Sequence, residues 1–446
     1  MRLKSSFIFE SFLLLLIVAC PLWGGLVLHT PLSVVQIISF LLFLFLLSKV
    51  TLSTPAKALY PSGLPFILLF LGVVLLQLIP LSQGILQIVS PRIFSLHQEC
   101  FPQALKLGSS HLSIYTHATQ KELVMFLSSF FVFLIVINRI EKRQEFERLF
   151  LTLIIWGVLL SLYGVVKKYF ILEKEVVTPF STFGNKNHFA GYMTMITPLA
   201  LGYALACKDR TKKVLFGFIA AFMCASIFLS LSRGGSIGLI FSLGVMVFLL
   251  ARERVIKGKF WIVGVSLLVA VVLILIAGPE PIKKRFLLFW HGLAGRLALA
   301  ADARKIVRDF PLFGVGWGAF RYIFPSYQTI TTYPFFYYYL HNDHLQLIVE
   351  TGFIGGFFYF AFLFVLLKEI FTKLFERKDS FVRSMVLGGM CGLLGIMVQG
   401  FFDFSFHIPG ISLSFWLILG LIYKCVHIHF YSNTEHEGYE ARDRLL

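Results

Sequence analysis

Twelve stretches of about 20 mostly apolar residues run through the sequence, at 7–28, 31–48, 63–83, 122–138, 149–167, 189–207, 214–232, 234–251, 260–278, 345–367, 384–402 and 410–428. A helix of ~20 apolar residues crosses the hydrocarbon core of a bilayer. The runs are continuous and lack the alternation of barrel strands, so helix is the spanning form. Composition agrees: 57% of the 446 residues are hydrophobic, only 14% are charged, and 50 are Phe. Soluble domains carry ~25% charged residues and have too little interior to hide so much apolar surface. Soluble enzyme, secreted domain, disordered chain and coiled coil are excluded. The expected fold is all-α: a polytopic membrane protein of about 12 transmembrane helices. Residues 1–446 form a single integral membrane domain, with a large outer loop, 279–344, before span ten.

The net charge of +17 belongs to membrane topology rather than to nucleic acid, because Lys and Arg in short loops hold those loops in the cytoplasm. With the N-terminus inside, the inner segments hold 24 of the 40 Lys and Arg, notably in the short loops 139–143, 208–213 and 252–259. Both termini are expected to be cytoplasmic. Three long outer segments remain, 84–121, 168–188 and 279–344, so the work is expected on the outer face. None of the six Cys forms a CxxC pair, and neither a disulfide framework nor a thiolate metal site is expected. Ile17-Val18-Ala19-Cys20 loosely fits a lipoprotein cleavage site, but apolar character continues to Leu28, which favours an uncleaved first helix.

Four polar runs interrupt this pattern. Ser181-Thr-Phe-Gly-Asn-Lys-Asn-His-Phe-Ala190 precedes span six. Asn185, Asn187 and His188 there form either a helix cap or a polar lip for a headgroup or sugar. Ser232-Arg233-Gly234-Gly235 puts a guanidinium between two apolar runs, which is either a functional cation or a snorkelling lipid anchor. The segment 279–344 holds eight basic residues, Arg296 and Arg321 among them, against four acids. An outer basic excess points to an anionic ligand or to anionic lipid headgroups. Its run Phe310-Pro-Leu-Phe-Gly-Val-Gly-Trp-Gly-Ala-Phe320 reads as a Gly-rich turn against the membrane surface, and Tyr333–Tyr339 as an interfacial belt or a sugar-stacking platform. His341-Asn342-Asp343-His344 opens span ten. An imidazole titrating near ~6.5 at an outer boundary suits general-base work, while a helix-start polar cluster is the plainer alternative. Asp403 and His407 form a short polar turn between spans eleven and twelve. Glu173-Lys-Glu175 is the nearest paired-acid site and reads as a solvated loop. No metal or other cofactor is expected.

In this order the runs resemble the O-antigen ligase and Wzy polymerase superfamily of bacterial envelope glycan enzymes. The matching segments are Thr182–Ala190, Ser232–Gly235, Gly295-Arg296, Pro311–Gly316 and His341-Asn342, the last followed after nine residues by Gly352 and then by Gly355. The resemblance covers roughly residues 120–425. One departure is that no acid and Trp follow Arg296-Leu297. The resemblance implies a GT-C-like fold in the bacterial inner membrane, with a periplasmic active site. It also implies an undecaprenyl-diphosphate-linked glycan donor and metal-independent, inverting glycosyl transfer. His341 looks like the general base, and Arg233 and Arg296 like the diphosphate-holding arginines. Asn185, Asn187, His188, Arg321, Asn342 and His344 are the further substrate-binding candidates. The acceptor is lipid A–core (ligase), another lipid-linked repeat (polymerase), or a protein hydroxyl (O-oligosaccharyltransferase). Membrane lipids are the remaining partners. A non-catalytic flippase for lipid-linked sugars is the rival from another class. It is disfavoured because the span interiors hold little charge beyond Glu10, Arg233 and Glu350. A non-catalytic scaffold in an envelope-assembly complex is a second rival.

Overall fold

The computed structural model describes residues 2–52, 59–100, 108–171, 180–252, 260–278, 280–287, 289–329 and 336–428. Thirteen long helices order the chain: α1 Arg2–Ala19, α2 His29–Leu52, α3 Leu64–Leu78, α4 Thr116–Arg139, α5 Arg143–Val166, α6 Lys186–Ala206, α7 Arg210–Leu229, α8 Arg233–Arg252, α9 Phe260–Ala277, α10 Phe289–Asp309, α11 Asp343–Glu376, α12 Ser380–Gln399 and α13 Pro409–His427. Among the described residues, nine are long and apolar enough to cross a membrane, and shorter apolar helices fill three further expected windows in α1, α3 and α9. The chain is an all-helical, multi-pass membrane protein. The first span departs from expectation: its helix stops at Ala19, not Leu28, because Pro21 and the positive φ of Gly24 (76°) and Gly25 (91°) turn the chain. Glu10, an acid inside that span, is buried and takes a hydrogen bond of 2.8 Å from Arg148 of α5. Glu173-Lys-Glu175 and the start of the Tyr333–Tyr339 run lie outside the described residues.

The centre of the bundle is α6, α12 and α13, whose side chains are almost all buried. Lipid gives helices no hydrophobic reason to associate, so small residues that let backbones touch drive the packing. A Cβ at Gly388 would sit 2.5 Å from the Pro198 carbonyl oxygen, and one at Gly392 only 2.3 Å from that of Met195. α2 is different. Val34, Ile37, Leu41 and Leu44 on one of its sides are exposed, and it meets α4 where Phe40 and Phe43 pack on Phe131, with ring centroids 4.9 and 3.9 Å apart.

The expected outer segment carries helices of its own. The described residues of 279–344 form Glu280–Leu287, α10 and the short helix Phe320–Ile323 ahead of α11. With Gln83–Val89 and Pro91–Cys100 they close a second apolar core containing Leu86, Ile93, Ile306, Phe310, Phe320 and Phe324. The two-residue strands β1 (Leu81–Ser82) and β2 (Ser109–Ser110) tie this cap together, Leu81 opposite Ser110. Sequence reading missed it because its helices are too polar to register as spans.

The Gly-rich run is mostly buried from Gly314 onward, packed against a break in α11. α11 breaks at Gly352 (φ 68°, ψ −177°), a backbone region open in practice only to glycine. The carbonyls freed by the break are met from 311–318: Val315 N–H donates to Val349 O (3.1 Å) and Gly316 N–H to Glu350 O (3.0 Å). Gln77 of α3 donates to Glu350 O (2.8 Å) and Phe313 O (2.7 Å), and takes the Trp317 N–H (3.0 Å). Irregular backbone at membrane depth survives only when protein satisfies it in this way.

Candidate functional site

His341 sits two residues before Asp343, the first residue of α11. Asn342 is the cap: its side-chain oxygen accepts from Leu345 N–H at 3.0 Å. That leaves His341 at φ 57°, an uncommon region for a side-chain-bearing residue. The strain is held by the turn after α12, since Asp343 N–H donates to Gly400 O (2.8 Å) and Asp403 O (3.2 Å). The same turn supplies the partner. His341 Nδ1 lies 3.3 Å from Asp403 Oδ1, with the imidazole 32% exposed and the carboxylate 1% exposed. The other Asp403 oxygen, Oδ2, is buried with no hydrogen-bond partner among the described residues. A buried carboxylate behind an accessible imidazole fixes the ring's orientation.

Phe404 organises the surroundings. His341 meets its ring edge-on at 4.8 Å, His188 does so at 5.0 Å, and Tyr339 stacks on it at 4.6 Å. Two imidazoles expected from separate runs are thus brought to one aromatic. His188 is buried and its Nε2 has no partner among the described residues. Asn185 and Asn187 do the plainer job. Asn185 caps α6, accepting from Asn187 N–H at 2.9 Å, and the Asn187 carbonyl accepts from Gln399 at 2.9 Å.

A second His–Asp pair lies beside the first. His407 Nδ1 is 2.9 Å from Asp343 Oδ1, and Phe406 N–H donates to the other oxygen of Asp343 (3.1 Å). Burial pulls the His407 imidazole down, but Asp343, Glu122 and Glu350 outweigh it and raise it to about 9. Gln346 Nε2 reaches Glu350 (3.0 Å) and His407 Nε2 (3.1 Å), while its oxygen takes Leu340 N–H (2.9 Å). A neutral Nε2 accepts from that amide and a protonated one does not, so the charge of His407 and the turn of Gln346 are linked. His344 is occupied elsewhere: its Nε2 is 2.7 Å from Met397 O and its ring packs on Phe401.

Two cavities adjoin here. An inner chamber of about 70 Å³ is lined by Asp343, His344, Glu350 and His407. An outer cleft of about 670 Å³ is lined by His188, Arg321, Tyr338, Tyr339, Phe404 and His407. Glu122, Met125 and His407 belong to both. Arg321 is stacked on Tyr322 (4.8 Å) and Tyr338 (5.8 Å). Arg233 and Arg296 are half-buried and line neither cavity. Arg233 opens α8 beside the turn, where a Cβ on Gly234 would stand 3.2 Å from Phe402; Arg296 lies midway along α10. Asp343, Gln346 and Glu122 were missed by sequence reading, and Asp403 and His407 were underweighted. The available signal was the rarity of such residues in so apolar a chain.

Residues 218–360 match a family model described as O-antigen ligase. The match spans Arg233, Arg296, Arg321 and the His341–His344 run, and it shows the resemblance to the O-antigen ligase and Wzy superfamily. No curated protein matches the chain.

Proposed function

We propose that the protein is a glycosyltransferase of the outer face of the bacterial inner membrane. It moves a glycan from an undecaprenyl-diphosphate donor to an acceptor hydroxyl, on a GT-C-like scaffold. His341 takes the proton of the acceptor hydroxyl. The freed oxygen attacks the anomeric carbon from the side opposite the diphosphate. The bond from that carbon to the diphosphate oxygen breaks, the electron pair leaves with the lipid diphosphate, and configuration inverts. Arg233 and Arg296 are the assigned partners of the diphosphate charge that develops, and Arg321 is the guanidinium of the cleft itself. The carrying observation is the His341–Asp403 pair, an accessible imidazole braced by a buried carboxylate, which lines neither cavity itself but packs on Phe404 of the cleft wall.

The test is reconstitution with a lipid-linked oligosaccharide and candidate acceptors. His341→Ala should lower transfer by ~10²–10⁴-fold, the usual worth of a general base, while the protein still inserts. Undiminished product from that variant would remove His341 as the base, and no product from the unmodified protein with any acceptor would return it to the flippase reading. Arg233→Lys should also transfer poorly, because a point charge does not reproduce a two-pronged guanidinium grip.

A further inference from the structure

The main chain on the two sides of His341 is held unequally. After it, Asp343 N–H reaches two carbonyls of the turn that follows α12, at 2.8 and 3.2 Å, and Asn342 caps α11. Before it, among the described residues, the backbone of 336–341 makes one hydrogen bond: Leu340 N–H donates to the side-chain oxygen of Gln346 at 2.9 Å. A left-handed φ such as the 57° of His341 persists only where the surroundings over-determine it, so on that side the turn depends on Gln346. Gln346 is 1% exposed. Its nitrogen is anchored one helical turn further on, 3.0 Å from Glu350 Oε1. Glu350 is fully buried beside the break in α11, and the same oxygen takes the Phe320 N–H of the cap at 3.3 Å. The Gln346 nitrogen also lies 3.1 Å from His407 Nε2. Turning the amide over to suit a protonated His407 would forfeit both the Leu340 and the Glu350 bonds, so two bonds hold it against one. Stability does not explain the chain Phe320–Glu350–Gln346–Leu340. A buried acid at membrane depth is costly, and the other Glu350 oxygen, Oε2, has no partner among the described residues. A half-satisfied polar network is worse for stability than an apolar core.

We infer that Gln346 is a positioning residue for His341, and that Glu350 holds Gln346 in place. This rests on the transferase reading above and adds to it the brace of its base. Gln346 moves no proton in the reaction. It fixes the peptide before Leu340, so the imidazole stays in line with Asp403 behind it and with the acceptor hydroxyl before it. Without that bond the segment 336–340 drifts, and an ångström of misplacement is enough to slow a reaction steeply. The loss falls on kcat, because the surfaces that bind donor and acceptor are left as they were. Gln346 also lines the outer cleft, so direct contact with a substrate is the competing role, and that role moves KM instead.

The reconstituted transfer assay decides this. Gln346→Met should lower kcat by about 10- to 10²-fold, with both KM values within about two-fold of wild type. The same substitution is then made in the His341→Ala background. A residue that acts only through His341 has nothing left to position there, so the double variant should transfer within about two-fold of His341→Ala alone. A drop in that background equal to the drop in wild type overturns the proposal, as does a raised KM with kcat unchanged. Glu350→Leu should reproduce the loss in kcat, again only where His341 is present. Glu350→Gln still offers the amide an oxygen and should restore at least about a third of the wild-type rate; equal losses in the two Glu350 variants overturn the brace. Should Gln346→Met not fold, the Glu350 pair in both backgrounds carries the test. Undiminished transfer by His341→Ala would instead sink the reading of His341 as the base, before Gln346 is touched.

Discussion

His341 is held in a left-handed conformation by hydrogen bonds that belong to its neighbours, so its placement survives loss of the ring and its chemistry does not. Removing only the orienting charge tests the pair separately. Asp403→Asn should reduce transfer by about 10- to 10³-fold, less than His341→Ala, with the donor KM unchanged; initial rates at saturating donor measure it. His407 makes a pH prediction. Its pKa is raised from an ordinary 6.5 to about 9, so the stabilisation is fully present below pH ~6.5 and is lost as pH rises through about 9. The melting temperature in detergent should therefore fall between pH 6.5 and 9.5, and His407→Gln should flatten that fall. A variant as steep as wild type would remove His407 from the cause. His341 was legible as a lone titratable residue at a membrane boundary. Its partner was not, because Asp403 is 62 residues away and reaches it only through the packing of the α12–α13 turn onto the start of α11.

Among the elements, the break in α11 carries the most risk. A Cβ at Gly352 would lie 2.1 Å from the Leu312 carbonyl oxygen, at a φ and ψ that L-residues avoid. Gly352→Ala should cost at least about 3 kcal/mol and lower the yield of folded protein; thermal denaturation of the purified variant is the readout. The spans themselves were legible because an apolar run of bilayer length has few other fates. Their ends were less so, as Pro21 and the Gly24–Gly25 pair show at α1. The Gly-rich run was visible, but its purpose was not. Gly314 and Gly316 are small so that backbone carbonyls of α11 and Ser113 can approach, a long-range demand that leaves no local periodicity. The cap of 279–344 was hidden for a related reason: its apolar residues face short helices from 83–100, and neither partner is a span.

At the scale of the molecule, the cleft, both His–Asp pairs and the capped N-terminus of α6 gather at one end of the bundle, away from the basic loops 139–143 and 208–213. Positive charge in short loops predicts that end outside. In a Cys100→Ser, Cys207→Ser background, a cysteine at His117 should react with impermeant maleimide in intact spheroplasts, and one at Thr211 only after lysis. The reverse pattern would invert the topology and remove the periplasmic assignment. The two sides of the outer cleft are also unlike each other, α2 lining one and α4 the other. Phe133 of α4 packs on the buried Trp416 of α13, whereas α2 turns Val34, Ile37, Leu41 and Leu44 outward. Widening the cleft on the α2 side means displacing acyl chains, and the interior need not yield. Turnover should consequently track bilayer fluidity, slowing in ordered, saturated membranes even when every catalytic group is in register.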